Sequence, residues 1–240
     1  MERASGLRSY DVITIKPNKT GGNGAMTKVS HDTFTGTNVT LASLIQCAYD
    51  VNPDELSGIS GPLTSARFDI EAKLLPSEAA ASRPTSVQME AMLIPLLTDR
   101  FHLKLHLEPK TLPVYELVIA KGGSKVQLKP LEPIEQRKTS LTAKGSNAGV
   151  TVNAHNATME SFADLLSDEA ERKVIDKTGL QGEADFTFKF TPGVEASSDS
   201  DNNVPNLFTA IEEQLGLKLQ PAKGPVETIV VDRAEMPSQN

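Results

Sequence analysis

Between Val87 and Ile119 the apolar pattern changes its period. Met89, Met92, Leu93, Leu96, Leu97 and Phe101 recur at helical spacing, which predicts a helix with one apolar face. From Phe101 the period becomes two. Phe101, Leu103, Leu105 and Leu107 alternate with Arg100, His102, Lys104 and His106, the pattern of a strand with one wet face. After Glu108-Pro109-Lys110-Thr111 a second strand is expected over Val114–Ile119, so one helix feeds a hairpin. Pro95 falls inside the helical run and predicts a kink or a junction between two turns.

The same pattern returns further on. Asn206–Gln220 repeats the helix and first strand, with Leu217-Lys218-Leu219 in the place of Leu103-Lys104-Leu105. Pro225–Val231 repeats Pro113–Ile119. Earlier, Asn156-Ala157-Thr158-Met159 matches Asn38-Val39-Thr40-Leu41, and Phe162, Ala163 and Leu166 follow where Leu44, Ile45 and Ala48 do. Gly179 matches Gly61, and Phe186, Phe188 and Phe190 match Phe68, Ile70 and Ala72. The offset is 118 residues up to that point, then 114 at the second helix and 112 at the last strand. Such a register predicts an internal duplication.

The remaining elements follow from local signals. Tyr10–Ile15 predicts a first strand stopped by Pro17, Asn18–Gly24 a turn, and Met26–Phe34 a weak strand. Asn38 or Thr40 caps a helix that ends at Asn52-Pro53. Arg67–Lys73 alternates as a half-exposed strand, and Val174–Asp176 reads as a short one. Residues 1–10 and Thr191–Val204 are polar and expected to be unstructured.

These readings give an α+β fold of two tandem copies of a strand-helix-strand-helix-strand-strand unit. Antiparallel or mixed sheets would carry helices on one face. The expected boundaries are 1–120 for the first copy, 121–149 for a Gly-, Lys-, Ser- and Pro-rich linker or crossover, and 150–240 for the second copy.

Composition narrows the partners. The chain has 240 residues, 38% of them hydrophobic but only 5% aromatic, so its core rests on Leu, Val, Ile and a few Phe. A net charge of -7 without a long basic tract argues against nucleic acid and against an anionic lipid anchor. No window approaches the roughly 18 apolar residues of a transmembrane helix. MERASGLRSYDV lacks the apolar stretch of a signal peptide. The protein is thus expected in the periplasm or outside the cell if a leader has been removed, and otherwise in the cytoplasm.

Candidate chemistry is sparse. Cys47 is the sole cysteine and lies among apolar neighbours on a helix, as a buried inert thiol would. His102 and His106 have helical metal-ligand spacing, but a strand would set them ~13 Å apart, too far for one tetrahedral ion. His31 and His155 complete the histidines. Asp69 and Glu71 share the wet face of one strand about 7 Å apart, a glycosidase-like spacing. Arg67 and Lys73 flank them, and the second copy offers Thr187 and Lys189 instead, so a solvated charged face is the better account. NKTGGNGAMTK lacks the spacing of a phosphate loop, and Ser43, Ser65 and Ser161 lack a nucleophile elbow. Asp176, Thr178 and Gly179 have the chemistry of a turn. Gly61, Gly179, Asn38 and Asn156 recur at matching places, as caps and turns would. No catalytic, cofactor-binding or metal-binding set is expected.

A family likeness runs through residues 10–238. It is carried by YDVITIKPN, NVTLASLIQCAY, SGISGP with RFDIEAKLLP, and MLIPLLTDRFHLKLHLEPKTLPVYELVIAKGG. NATMESFADLL, VIDKTGLQGEADFTFKFTP and LFTAIEEQLGLKLQPAKGPVETIVVDRAEMPSQN carry it in the second half. The chain resembles a bacterial domain family of unknown function abundant in soil acidobacteria, the soil-associated hypothetical protein family. The resemblance implies a secreted or envelope location and brings no catalytic residues. Some members are fused to membrane metallopeptidases of the beta-lactam-sensor type. The half-units are also similar to the short N-terminal domain of secretins and TonB-dependent receptors. The expected function is a non-catalytic envelope interaction module that binds a protein or peptide. An envelope hydrolase acting on peptide or glycan, and a ligand-sensing domain, are the alternatives.

Overall fold

The computed structural model describes residues 9–20, 24–30, 32–75, 84–131, 133, 138–146, 149–192 and 204–237. The expectations for residues 1–8, for His31 and for most of Thr191–Val204 lie outside them. The chain is α+β with mostly antiparallel sheets. It divides into two compact units, residues 1–110 with 227–240, and residues 111–226. This division differs from a cut at 120 and 150, because the last residues of the chain belong with the first.

In the first unit, β1 (Val12–Pro17), β2 (Met26–Val29), β3 (Thr33–Val39) and β5 (Phe68–Lys73) form an antiparallel sheet in the order β1-β5-β3-β2. Ile15, Phe34, Phe68 and Ile70 point into the core. Helix α1 (Leu41–Tyr49) adds Leu41, Leu44, Ile45 and Ala48 to it. Thr40 is its N-cap, in a capping box with Ser43 that satisfies two backbone donors of the first turn. The helical run after Ser86 is two helices, α2 (Ser86–Ala91) and α3 (Leu93–Phe101), joined at Met92. Pro95 explains the break. It has no N–H for a preceding carbonyl, and the first turn of a new helix is where that loss costs least. Phe101 closes this core edge-on against Phe68, with ring centroids 5.2 Å apart.

The expected hairpin after α3 is not formed. Lys104–Ile119 is one 16-residue strand, β6, and Leu217–Arg233 is one 17-residue strand, β12. Each expected unit therefore ends in a single long strand. EPKT and QPAKGP contain proline but lack the Asn-Gly type of pair that a tight hairpin requires. Proline is tolerated in a strand where its missing N–H falls outside the ladder. Both long strands begin in one unit and end in the other. In the first unit, Ile229 and Val230 of β12 pair in parallel with β4 (Leu56–Ser57), and Ile229 and Val231 are buried in the core.

In the second unit, β7 (Leu128–Lys129), β8 (Ser140–Ser146), β9 (Gly149–Ala157) and β11 (Glu183–Phe190) form an antiparallel sheet in the order β7-β11-β9-β8. Two of these strands lie inside the expected linker, 121–149. Edge strands with few apolar residues read as loop because no alternation marks them. Helix α4 (Met159–Glu169) packs Phe162, Ala163 and Leu166 in one core with Val150, Val152, Phe188 and Phe190. The parallel pair here joins β10 (Val174–Asp176) to Tyr115–Leu117 of β6. The last helix, α5 (Leu207–Ala210), runs into a π-helical turn at Ile211–Leu215, which ends at Gly216 with φ 64°.

Candidate functional site

The polar groups of the second unit gather where β9 turns into α4. Asn156 leaves the strand with φ 51°, a conformation that asparagine tolerates better than most residues. Its backbone N–H donates to Asp185 Oδ1 at 2.8 Å, and its side-chain amide donates to the Lys138 carbonyl. Lys129 Nζ donates to Asp185 Oδ2 at 2.6 Å, and His155 Nδ1 lies 2.8 Å from Oδ1. The Lys129 bond and then the Asn156 N–H hold the Asp185 carboxyl down at about 2. The folded carboxyl thus stays ionised where its unfolded counterpart, near the ordinary 3.8, takes up a proton. Its contribution to stability is complete above about pH 4 and is lost as pH falls towards about 2. Thermal melts between pH 6 and 2 should show that loss in the native chain. Asp185→Asn should flatten this part of the profile, and an unchanged profile would count against the bracket.

The first unit has a matching bracket. Asn38, at φ 56°, donates its N–H to Asp69 Oδ1 at 2.9 Å, and Asn18 donates its amide to the same oxygen at 2.8 Å. Asp69 thus holds a backbone turn. Glu71, its expected partner in an acid pair, instead reaches Lys73 Nζ at 2.7 Å on the exposed face. In the second unit the like bond from an asparagine N–H goes to Asp185, not to Thr187, the position that lies 118 residues after Asp69. Gly61 precedes Asp69 by eight residues and Gly179 precedes Asp185 by six, so the connection is two residues shorter there. A two-residue shift keeps every side chain on its face, which is why the alternation concealed it.

The outer face of this sheet is ordered in rows across three strands. Ser140 lies opposite His155, whose ring reaches Asp185. Thr142, Asn153 and Thr187 form the next row, with the Thr187 hydroxyl donating to Asn153 Oδ1 at 3.1 Å. Lys144, Thr151 and Lys189 form the third. Sequence reasoning passed over these rows because Ser140–Ser146 was assigned to the linker. The alternation of Thr151, Asn153 and His155 with Val150, Val152 and Ala154 was the available signal. Ser140 stands opposite His155, which reaches Asp185 at the bulge of β11, with His155 and Asp185 about half exposed or more.

The other candidates have local roles. His102 caps α3 with φ 48°, so it is not on the strand, and its Nε2 lies 3.9 Å from Glu235. His106 Nδ1 pairs with Asp232 Oδ1 at 2.8 Å on the exposed side of β6. Among the described residues no group of three or more His, Cys, Asp or Glu is placed to hold a metal ion. Ser43 and Ser161 serve the first turns of α1 and α4. Asp176 Oδ1 accepts from the Thr178 N–H and hydroxyl, the turn chemistry expected of it. Burial, then Glu90 and Asp50, push the Cys47 thiol up to about 12. At pH 8 it is neutral, so native Cys47 should not react with Ellman's reagent while the denatured chain does. A hollow of 480 Å³ lies beside the π-helical turn, lined by Phe208, Thr209, Glu212, Glu213, Lys218 and Leu219. No helix of the described residues is long and apolar enough to cross a membrane.

Fold and face together define an α+β protein of two compact units whose polar groups lie on open sheet surfaces. The chain belongs to the family described as protein of unknown function (DUF3738), which matches residues 42–234. No curated protein and no solved structure matches it.

Proposed function

We propose that the chain is a non-catalytic interaction module of the bacterial cell envelope, and that it binds an extended segment of a protein or peptide by adding it as a strand beside β8. The observation that carries this reading is the state of the two edges of the second unit's sheet. The β11 edge is covered. Leu128 and Lys129 pair with its start, and the Gln214 side chain accepts from the Lys189 N–H and donates to its carbonyl. On β8 the described residues leave the outer edge open over residues 140–145, without proline and with Lys144 as the single charge. Natural edges are usually short, charged or covered, and an open one is a template for a further strand.

An ancestral duplication belongs to the same reading. The sheet orders β1-β5-β3-β2 and β7-β11-β9-β8 correspond strand for strand, and so do the Asn38–Asp69 and Asn156–Asp185 brackets. The parallel pairs of β4 and β10 correspond as well. Residues that recur in both units then serve the fold, and binding falls to what differs between them. The β8 edge is such a difference, since its counterpart β2 has four residues. The test is a screen of extended peptides against the full chain, followed by amide chemical shifts of the bound state. Binding should perturb residues 140–146 first. Hits that leave those amides unmoved would sink the reading.

A further inference from the structure

Charge is unevenly placed along the chain, and the β8–β9 hairpin lies in one of its acid-free stretches. The protein has 31 acidic and 24 basic residues, yet from Gln136 to Met159 there is no Asp or Glu. The same stretch holds Arg137, Lys138, Lys144 and His155. Residues 12–31 also lack Asp and Glu, so what matters at this hairpin is where its cations stand.

The register shows what this does on the surface. Lys144 and Lys189 stand on either side of Thr151, in one row across β8, β9 and β11. No acidic side chain lies in that row. Two lysines elsewhere in this unit do meet carboxylates: Lys129 pairs with Asp185 and Lys173 with Asp164. Two like charges flanking an uncharged residue repel each other weakly, and an anion beside them relieves the repulsion. Both lysines are exposed, so the charge is offered to a partner. The opposite side of β8 presents Leu141, half-buried against the second core, and Ala143.

We infer that the strand taken up beside β8 is acidic: an extended peptide with Asp or Glu on the face it shares with Lys144, and small or apolar residues on the face it shares with Leu141 and Ala143. This rests on the strand-addition reading above and adds the chemistry of the partner to it. A guest strand next to β8 alternates its side chains in step with Thr142 and Lys144 on one face and Leu141 and Ala143 on the other. The protein's net charge of -7 disfavours an acidic peptide on average, so the local cations of the hairpin favour this place.

The experiment uses the full chain and three blocked nine-residue peptides that alternate Val with Glu, Val with Gln, or Val with Lys. Each is titrated by calorimetry at low and at high salt, with amide shifts recorded in parallel. The Glu peptide should bind about three- to tenfold more tightly than the Gln peptide at low salt, the range of one or two exposed ion pairs. The advantage should shrink at high salt. Lys144→Glu should reverse the preference in favour of the Lys peptide while the amides of 140–146 still respond. Equal binding of the Glu and Gln peptides at β8 would overturn the acidic preference and leave strand addition standing. No response at residues 140–146 to any of the three, or a response confined to other strands, would overturn both.

Discussion

Removal of residues 227–240 is expected to unfold the first unit and to leave the second largely protected. The segment is remote in sequence from residues 12–110 but supplies part of their core. Ile229 and Val231 are 2% and 7% exposed there. The Thr228 hydroxyl donates to the Glu108 carbonyl at 2.8 Å, and the Glu235 N–H donates to the Phe101 carbonyl at 2.7 Å. Gly58, at φ 90°, lies so close to the Val231 backbone that an added Cβ would collide with its carbonyl oxygen. Burial of the two β-branched side chains alone is worth roughly 3–6 kcal/mol, a large share of the stability of a small unit. Hydrogen exchange of the truncated chain should therefore lose protection in α1, β3 and β5. A division of the chain at residue 150 predicts the reverse, with the damage confined to the C-terminal half. Retained protection in α1 would refute the assignment of 227–240 to the first unit. Ile229→Ala is the milder version and should cost about 2–5 kcal/mol in the same place.

The reason for this division was only half visible in the amino-acid sequence. Helices α1 and α4 and strands β5 and β11 were legible, because each buries one face and shows one period. The long strands were not. Leu103, just before β6, and Leu105 on it serve the first core and Leu117 the second, with Glu108-Pro109-Lys110 between. A strand that changes cores midway looks like two strands with a turn. The candidate face fared similarly. Asp69 and Glu71 stood out because charge alternates with apolar residues along β5. Asp185 did not, because a constant offset pointed to Thr187. Ser140, Thr142 and Lys144 were hidden because β8 packs only lightly and carries little apolar signal. Edge strands are weakly encoded for the same physical reason that leaves them open to partners.

The second large effect is expected at Phe162. Its ring has no exposed surface and packs edge-on against Phe186 and Phe188, with centroids 4.9 and 5.7 Å away. Phe188 in turn stacks on Phe190 at 5.8 Å. In a chain with 5% aromatic residues and no tryptophan, this cluster has no nearby substitute of similar volume. Phe162→Ala removes the member that joins α4 to the sheet and should destabilise the second unit by about 3–5 kcal/mol, through lost burial and the cavity left behind. Denaturant titration gives the magnitude, and hydrogen exchange gives the place, in α4, β9 and β11. Phe162→Leu keeps much of the volume and should recover most of that loss. The contrast matters for the proposed binding surface. Among the described residues β8 is joined to the core through β9 and the half-buried Leu141, beside α4, so a slackened cluster should also weaken any peptide held at β8, without a change to Ser140, Thr142 or Lys144. A loss below about 1 kcal/mol for Phe162→Ala would mean that the ring does not sit in a packed core. The rigid platform required for strand addition would then be missing.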